Sequence, residues 1–152
     1  MNMLAAFDAM ESALKPVLDP RVFVEPKDKG KDSETKRQGV WVSHMHKHAR
    51  SVLVFAIPNG THIPSFAGRA KIKAEGLYTG FPDTGALWEP VWVGNDDTAY
   101  LEWKDGTGDP SDSQIECLNR LVGMGYPCGI FRTMEVATNW LASVGAPVGA
   151  VR

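Results

Sequence analysis

Gly80-Phe81-Pro82-Asp83 and, further along, Tyr100-Leu101-Glu102-Trp103-Lys104 are the stretches whose reading decides the fold. Between them lie an apolar run rich in Val, Trp and Leu and then the turn residues Gly94-Asn95-Asp96-Asp97. The run predicts a strand over 87–93, the second stretch predicts a strand over 98–104, and the turn chemistry joins them as a hairpin. Successive side chains on a strand point to opposite faces. Tyr100, Glu102 and Lys104 therefore share one face, and Leu101 and Trp103 anchor the other. Asp83 enters at the far end of the hairpin. A turn centred near Val93-Gly94 sets it beside Lys104, and a later turn moves it outward. Two acids and a lysine at a strand end can hold a divalent cation and orient a water.

The chain has 152 residues, 43% hydrophobic, with five Trp, which suits one folded domain with a real core. No apolar run approaches the roughly 20 residues that span a bilayer, and the N-terminus lacks the pattern of a secretory signal. A membrane role is therefore not expected. Cys117 and Cys128 are too few for a disulfide scaffold and read as buried thiols in a reducing cytoplasm, one on a helix and one on a strand. The net charge of −2 counts against strong electrostatic binding of nucleic acid, so local basic clusters and metal ions would have to supply the attraction.

Leu4, Phe7, Met10, Leu14 and Leu18 have helical spacing, weakened at Pro16. Residues 21–24 read as a short strand or an extended crossover, and 26–32 as a charged, exposed linker. Ser33 caps a helix over 34–49, with Val40, Trp41, His44 and His48 along one side. Residues 51–57 form a buried strand ended by Pro58-Asn59-Gly60. Residues 61–80 are a long loop carrying Arg69, Lys71 and Lys73. Ser111 opens a helix with Ile115, Leu118, Leu121 and Val122 as its apolar stripe, stopped at Gly125. A short strand over 127–131 and a helix over 134–144 follow, and the tail 145–152 is expected to fray. The expected class is α/β, a mixed central sheet flanked by helices, with a crossover from the hairpin to a parallel strand.

Pro82-Asp83 with Glu102-Trp103-Lys104 resembles the PD-(D/E)xK nuclease signature. Further segments resemble, in order, the virus-type replication-repair nuclease domain (VRR-NUC) of that superfamily. They are Ser33-Glu34 with Gln38, Pro58-Asn59-Gly60, Lys73-Ala74-Glu75-Gly76, Gly80-Phe81-Pro82-Asp83, Glu102-Trp103-Lys104, Ser111-Asp112-Ser113-Gln114, and Gly125-Tyr126 leading to Arg132. The resemblance covers roughly residues 33–144 and leaves 1–32 as a separate N-terminal helix and linker. It implies a restriction-endonuclease-like core in αβββαβ order and Mg²⁺-dependent hydrolysis of DNA phosphodiesters, with Mn²⁺ as a substitute. On this reading Asp83, Glu102 and the Trp103 backbone carbonyl hold the cation. Lys104 steadies the attacking water and the transition state. Glu34 and Gln114 complete the catalytic set. Asn59, Arg69, Lys71 and Lys73 touch DNA. Small stand-alone members of the family imply a homodimer acting on branched DNA such as a Holliday junction, in a bacterial or phage-infected cell. The Leu4–Phe7–Met10–Leu14 stripe is the candidate dimer surface.

Each residue also has a plainer reading. Glu102 and Lys104 could be a surface ion pair, Glu34 a first-turn acid, Gln114 a helix-start residue, and the 69–73 cations a solvated loop. His44, His46 and His48 invite a zinc site, but His46 points away from the other two on a helix and no partner has zinc spacing. A non-catalytic DNA-binding or scaffold protein with the same fold is the competing class.

Overall fold

The computed structural model describes residues 14–58, 65–90 and 96–152. The described residues form five strands and four helices. They are β1 (Phe23–Val24), α1 (Glu34–His48), β2 (Val52–Ala56), α2 (Phe66–Ala74), β3 (Thr84–Trp88), β4 (Thr98–Trp103), α3 (Asp112–Gly123), β5 (Cys128–Phe131) and α4 (Met134–Ser143). The strands make one sheet in the order β1-β5-β4-β3-β2. β2, β3 and β4 are antiparallel neighbours, whereas β4, β5 and β1 run parallel. The fold is α/β with a mixed sheet, and the expected helical crossover joins β4 to its parallel neighbour β5.

The alternation of β4 divides the core in two. Leu101 and Trp103 are fully buried on the face covered by α1 and α4, where Trp103 packs on Trp41 and Phe131. The opposite face, with Cys128 and Ile130, is covered by Cys117, Leu118, Leu121 and Val122 of α3. Helix α3 starts at a capping box between Ser111 and Gln114 and stops where Gly125 adopts φ +92°, a left-handed conformation that suits glycine.

Several expectations need correcting. Strand β3 begins at Thr84, directly after Asp83, rather than at 87, because Thr84 is a ladder residue. Its hydroxyl donates to the Leu101 carbonyl at 3.2 Å and accepts from the Trp103 indole at 3.1 Å. Strand β2 is an edge, not a buried strand: Val52 and Val54 face the core, whereas Leu53 is 65% exposed. The buried line of α1 is Arg37, Trp41 and Met45; Val40 and His48 are exposed. Arg69, Lys71 and Lys73 stand on helix α2, capped by Ser65, where a loop was expected.

Residues 26–32 are a mostly exposed segment without helix or strand, as expected, and the expected short strand before them forms at 23–24, but the segment is tied to the domain. β1 extends the sheet beside β5, and Asp28 pairs with buried Arg37 at 2.6 Å, which itself donates to the Arg132 carbonyl. Leu14 and Val17 are exposed and non-helical, so the expected helix does not reach 14–18. Leu4, Phe7 and Met10 lie outside the described residues. The C-terminal tail docks instead of fraying. Ala146 is buried in the core, and Asn139 exchanges two hydrogen bonds with the Val151 backbone. Among the described residues, no helix is long and apolar enough to cross a membrane.

Candidate active site

The site is built at the end of the central strand. The β3–β4 register pairs Thr84 with Leu101, so one step further Asp83 faces Glu102. The position beside Lys104, expected for a turn centred near Val93-Gly94, is therefore two residues off. Asp83 is locked there by accepting the Trp103 backbone N–H at 2.9 Å. The loop before Asp83 is pressed against the start of α3. Gly80 has φ +80°, and a Cβ there would lie 2.3 Å from the Ser113 carbonyl oxygen.

Glu102 is 1% exposed. Its Oε1 accepts from the Gln114 side-chain amide and from Lys104 Nζ at 2.9 Å. Its Oε2 is buried without a hydrogen-bond partner. An unpaired buried carboxylate oxygen is costly. Burial, reinforced by the charge of Asp83, pushes the Glu102 carboxyl up to about 8. Burial also raises Asp83, against the opposing pull of the Trp103 N–H and Lys104. For Lys104 burial acts downward, but Glu102 first, then Glu34 and Asp83, hold its pKa above the ordinary lysine value. Lys104 thus remains an ammonium, with Glu34 Oε1 3.6 Å from its Nζ on the second side.

Gln114 uses both ends of its amide. Its Oε1 accepts the Ser111 N–H at 2.8 Å, closing the capping box, and its nitrogen faces Glu102. Asp83, Glu102, Lys104, Gln114 and Glu34 thus converge from β3, β4, α3 and α1. An open cleft of about 400 Å³, lined by Glu34, Gly80, Phe81, Asp83, Ser111 and Gln114, borders the buried Glu102 and Lys104. A larger recess of about 520 Å³ at the β2 edge, beside His46 and Trp88, is lined by no acid.

A scaffold that the sequence reading missed holds the cleft's rim. Glu25, 5% exposed, accepts from the Arg132 N–H, the Thr133 N–H and the Thr133 hydroxyl. Arg132, 2% exposed, donates to the carbonyls of Asp105 and Gly108, the loop that leaves Lys104. Gly106 packs so closely on Asp28 and Gly30 that a Cβ would lie 2.7 Å from either backbone oxygen. The signal available in the sequence was Glu25 and Arg132, charges that each follow a short apolar run, at Val22-Phe23-Val24 and Ile130-Phe131.

The cations Arg69, Lys71 and Lys73 are exposed on α2, and Lys71 lies 3.8 Å from Glu75. They do not join the acid cleft. Asn59 lies outside the described residues. The His44 and His48 rings approach to 4.8 Å, while His46 lines the separate β2 recess. Among the described residues no group of three or more His, Cys, Asp or Glu side chains forms a metal cage. A cation between Asp83 and Glu102 would complete its shell with carbonyl, water or phosphate oxygens, as Mg²⁺ commonly does. The orphaned Glu102 oxygen and the raised pKa of both acids fit such an ion.

No protein-family model matches the chain, and neither a curated protein nor a solved structure does.

Proposed function

We propose that this chain is a Mg²⁺-dependent DNA endonuclease with a PD-(D/E)xK, VRR-NUC-like core. From Glu34 onward the elements follow the αβββαβ order, with α2 inserted before the hairpin. One observation carries the reading. Two adjoining carboxylates, one with a buried unpartnered oxygen, stand beside a buried ammonium at an open cleft. One ammonium among Asp83, Glu102 and Glu34 leaves negative charge that a further cation would balance.

Asp83 and Glu102 would hold the ion, with the Trp103 carbonyl as a further oxygen donor. Bound Mg²⁺ would activate water and neutralise charge gathering on the phosphate. Lys104 is held as a cation by Glu102 and Glu34, and donates to the attacking water or a phosphoryl oxygen. Gln114 and Lys104 both hold the Oε1 of Glu102, which leaves its Oε2 for the ion. Branched DNA is the proposed substrate. A two-fold dimer would place two such centres in fixed relation on a junction.

The test is cleavage of plasmid and four-way-junction DNA with Mg²⁺ against a chelator control. Asp83→Asn, Glu102→Gln and Lys104→Ala should each abolish cleavage while circular dichroism stays native. Light scattering on a sizing column should report a dimer. Near-wild-type cleavage by any folded variant removes that residue from the site. An inactive protein that still binds DNA favours the scaffold alternative.

A further inference from the structure

Beside the acid cleft lies a second, apolar cleft of about 370 Å³, walled by Phe55, Ile57, Leu77, Tyr78, Phe81 and Tyr100. Its volume falls within the roughly 300–1,000 Å³ of small-ligand pockets. Phe81 belongs to both clefts. Ile57 joins them from the opposite side, since its N–H donates to the Asp83 carbonyl. Tyr100 stands two residues before Glu102 on the same face of β4, which sets the two about 7 Å apart along the strand.

The cleft is a run of ring edges and faces. Tyr78 meets Phe81 at 6.4 Å, Phe81 meets Tyr100 at 5.3 Å, and Tyr100 meets Tyr126 at 5.9 Å, all edge to face. A backbone without a side chain makes the floor. A Cβ on Gly85 would lie 2.3 Å from the Phe55 ring, so only glycine lets that ring lie over the sheet between β2 and Tyr100. Tyr78 is 47% exposed and Leu77 36% exposed, so the wall is open. Its rim is cationic: the Arg120 guanidinium is 3.3 Å from the Tyr78 hydroxyl. Planar apolar walls, a cationic rim and an edge shared with a phosphodiester site fit one occupant.

We propose that this cleft takes an unpaired nucleobase of the DNA strand whose phosphate lies at Asp83 and Glu102. Aromatic faces stack any base, so the cleft reads single-strandedness and not sequence. A base inside a duplex cannot enter without being unstacked, which favours flaps, gaps and junction arms over continuous duplex. The inference rests on the reading of the acid cleft as a phosphodiester site and names the DNA structure that site prefers.

The experiment measures binding of a short single-stranded DNA oligonucleotide to the full chain by fluorescence anisotropy. Ca²⁺ replaces Mg²⁺, as a hard cation that takes the same oxygen ligands. An abasic site is moved along the oligonucleotide. One abasic position should weaken binding roughly tenfold, the size expected for one base on an aromatic platform. Tyr78→Ala should weaken the parent oligonucleotide by a similar factor but add little to the abasic loss, and Tyr78→Phe should restore it. A 2-aminopurine at that position should be quenched on binding to wild type and not to Tyr78→Ala. Equal affinity at every abasic position overturns the proposal, as does additive loss or no DNA binding. Concentration-dependent self-association abolished by Tyr78→Ala would assign the cleft to a second copy and also overturn it. Cleavage with Mg²⁺, measured in parallel, reports on the acid cleft alone: cleavage without base dependence leaves that reading intact.

Discussion

If the acid cleft holds Mg²⁺ as proposed, Glu102 couples the binding of that ion to the loss of a proton. Its carboxyl is pushed up to about 8 from a usual 4.5, and a divalent cation takes the ionised form. At pH 6 the proton must be displaced about two units below that value, which costs about 2.7 kcal/mol, or roughly a hundredfold in affinity. At pH 8.5, free Mg²⁺ at ten to a hundred times its dissociation constant would stabilise the fold by about 1.4 to 2.7 kcal/mol. For a domain of this size that raises the melting temperature by about 3–11 °C. The same Mg²⁺ at pH 6 would contribute about 0.4 kcal/mol or less. Thermal unfolding at the two pH values, with Mg²⁺ and with chelator, measures both shifts. The sign for the metal-free protein follows from the same group. Its folded pKa lies above the unfolded one, so the folded state keeps the proton longer and stability falls as pH rises from about 4.5 to 8. Asp83, also raised, acts in the same direction. An equal Mg²⁺ shift at both pH values, or a shift that survives in Glu102→Gln, would refute the reasoning.

Gln114→Glu keeps a capping-box side chain at the start of α3 but turns a carboxylate towards Glu102. The melting temperature of the Mg²⁺-bound form should hold within a few degrees while cleavage drops at least tenfold; unchanged kcat would show that the amide contact is idle. Glu25→Ala strips the acceptor from two backbone N–H groups and the Thr133 hydroxyl. Urea unfolding should show a loss of about 2–5 kcal/mol, and a midpoint within error of wild type would dismiss the clamp. His44→Ala combined with His48→Ala should leave Mg²⁺-dependent cleavage near wild type. A large loss in a protein that still folds would bring the histidines back as a metal site.

The central strand was legible in the sequence because two-residue alternation and local turn chemistry act on neighbours. That is why Glu102 and Lys104 share a face and Trp103 lies in the core. The register of Asp83 was not legible. It depends on the turn's length and on Thr84, whose hydroxyl bonds the partner strand and the Trp103 indole together. Glu34 and Gln114 are drawn to the cleft by how α1 and α3 pack, and only the resemblance to a known nuclease domain anticipated them. The segment before Ser33 was legible as a short strand and an exposed connection, but the anchoring of Glu25, Asp28 and Gly30 was not. Their partners, Arg132, Thr133 and Gly106, are distant in the chain, and long-range pairing leaves no local pattern. Helix α2 was missed for a different reason: it buries none of its side chains, so no apolar stripe marks it.

That last property separates two kinds of change in the protein. A helix with no buried side chain adds little to the free energy of folding, so its outward positions can be exchanged without eroding the core. Arg69 and Lys73, one turn apart, lie on such a surface. Substitutions at these outward positions of α2 should carry almost no thermodynamic penalty. The acid cleft is bound into both halves of the core and has no such freedom. Change at the surface and preservation of the acid cluster can then proceed on separate parts of one small chain.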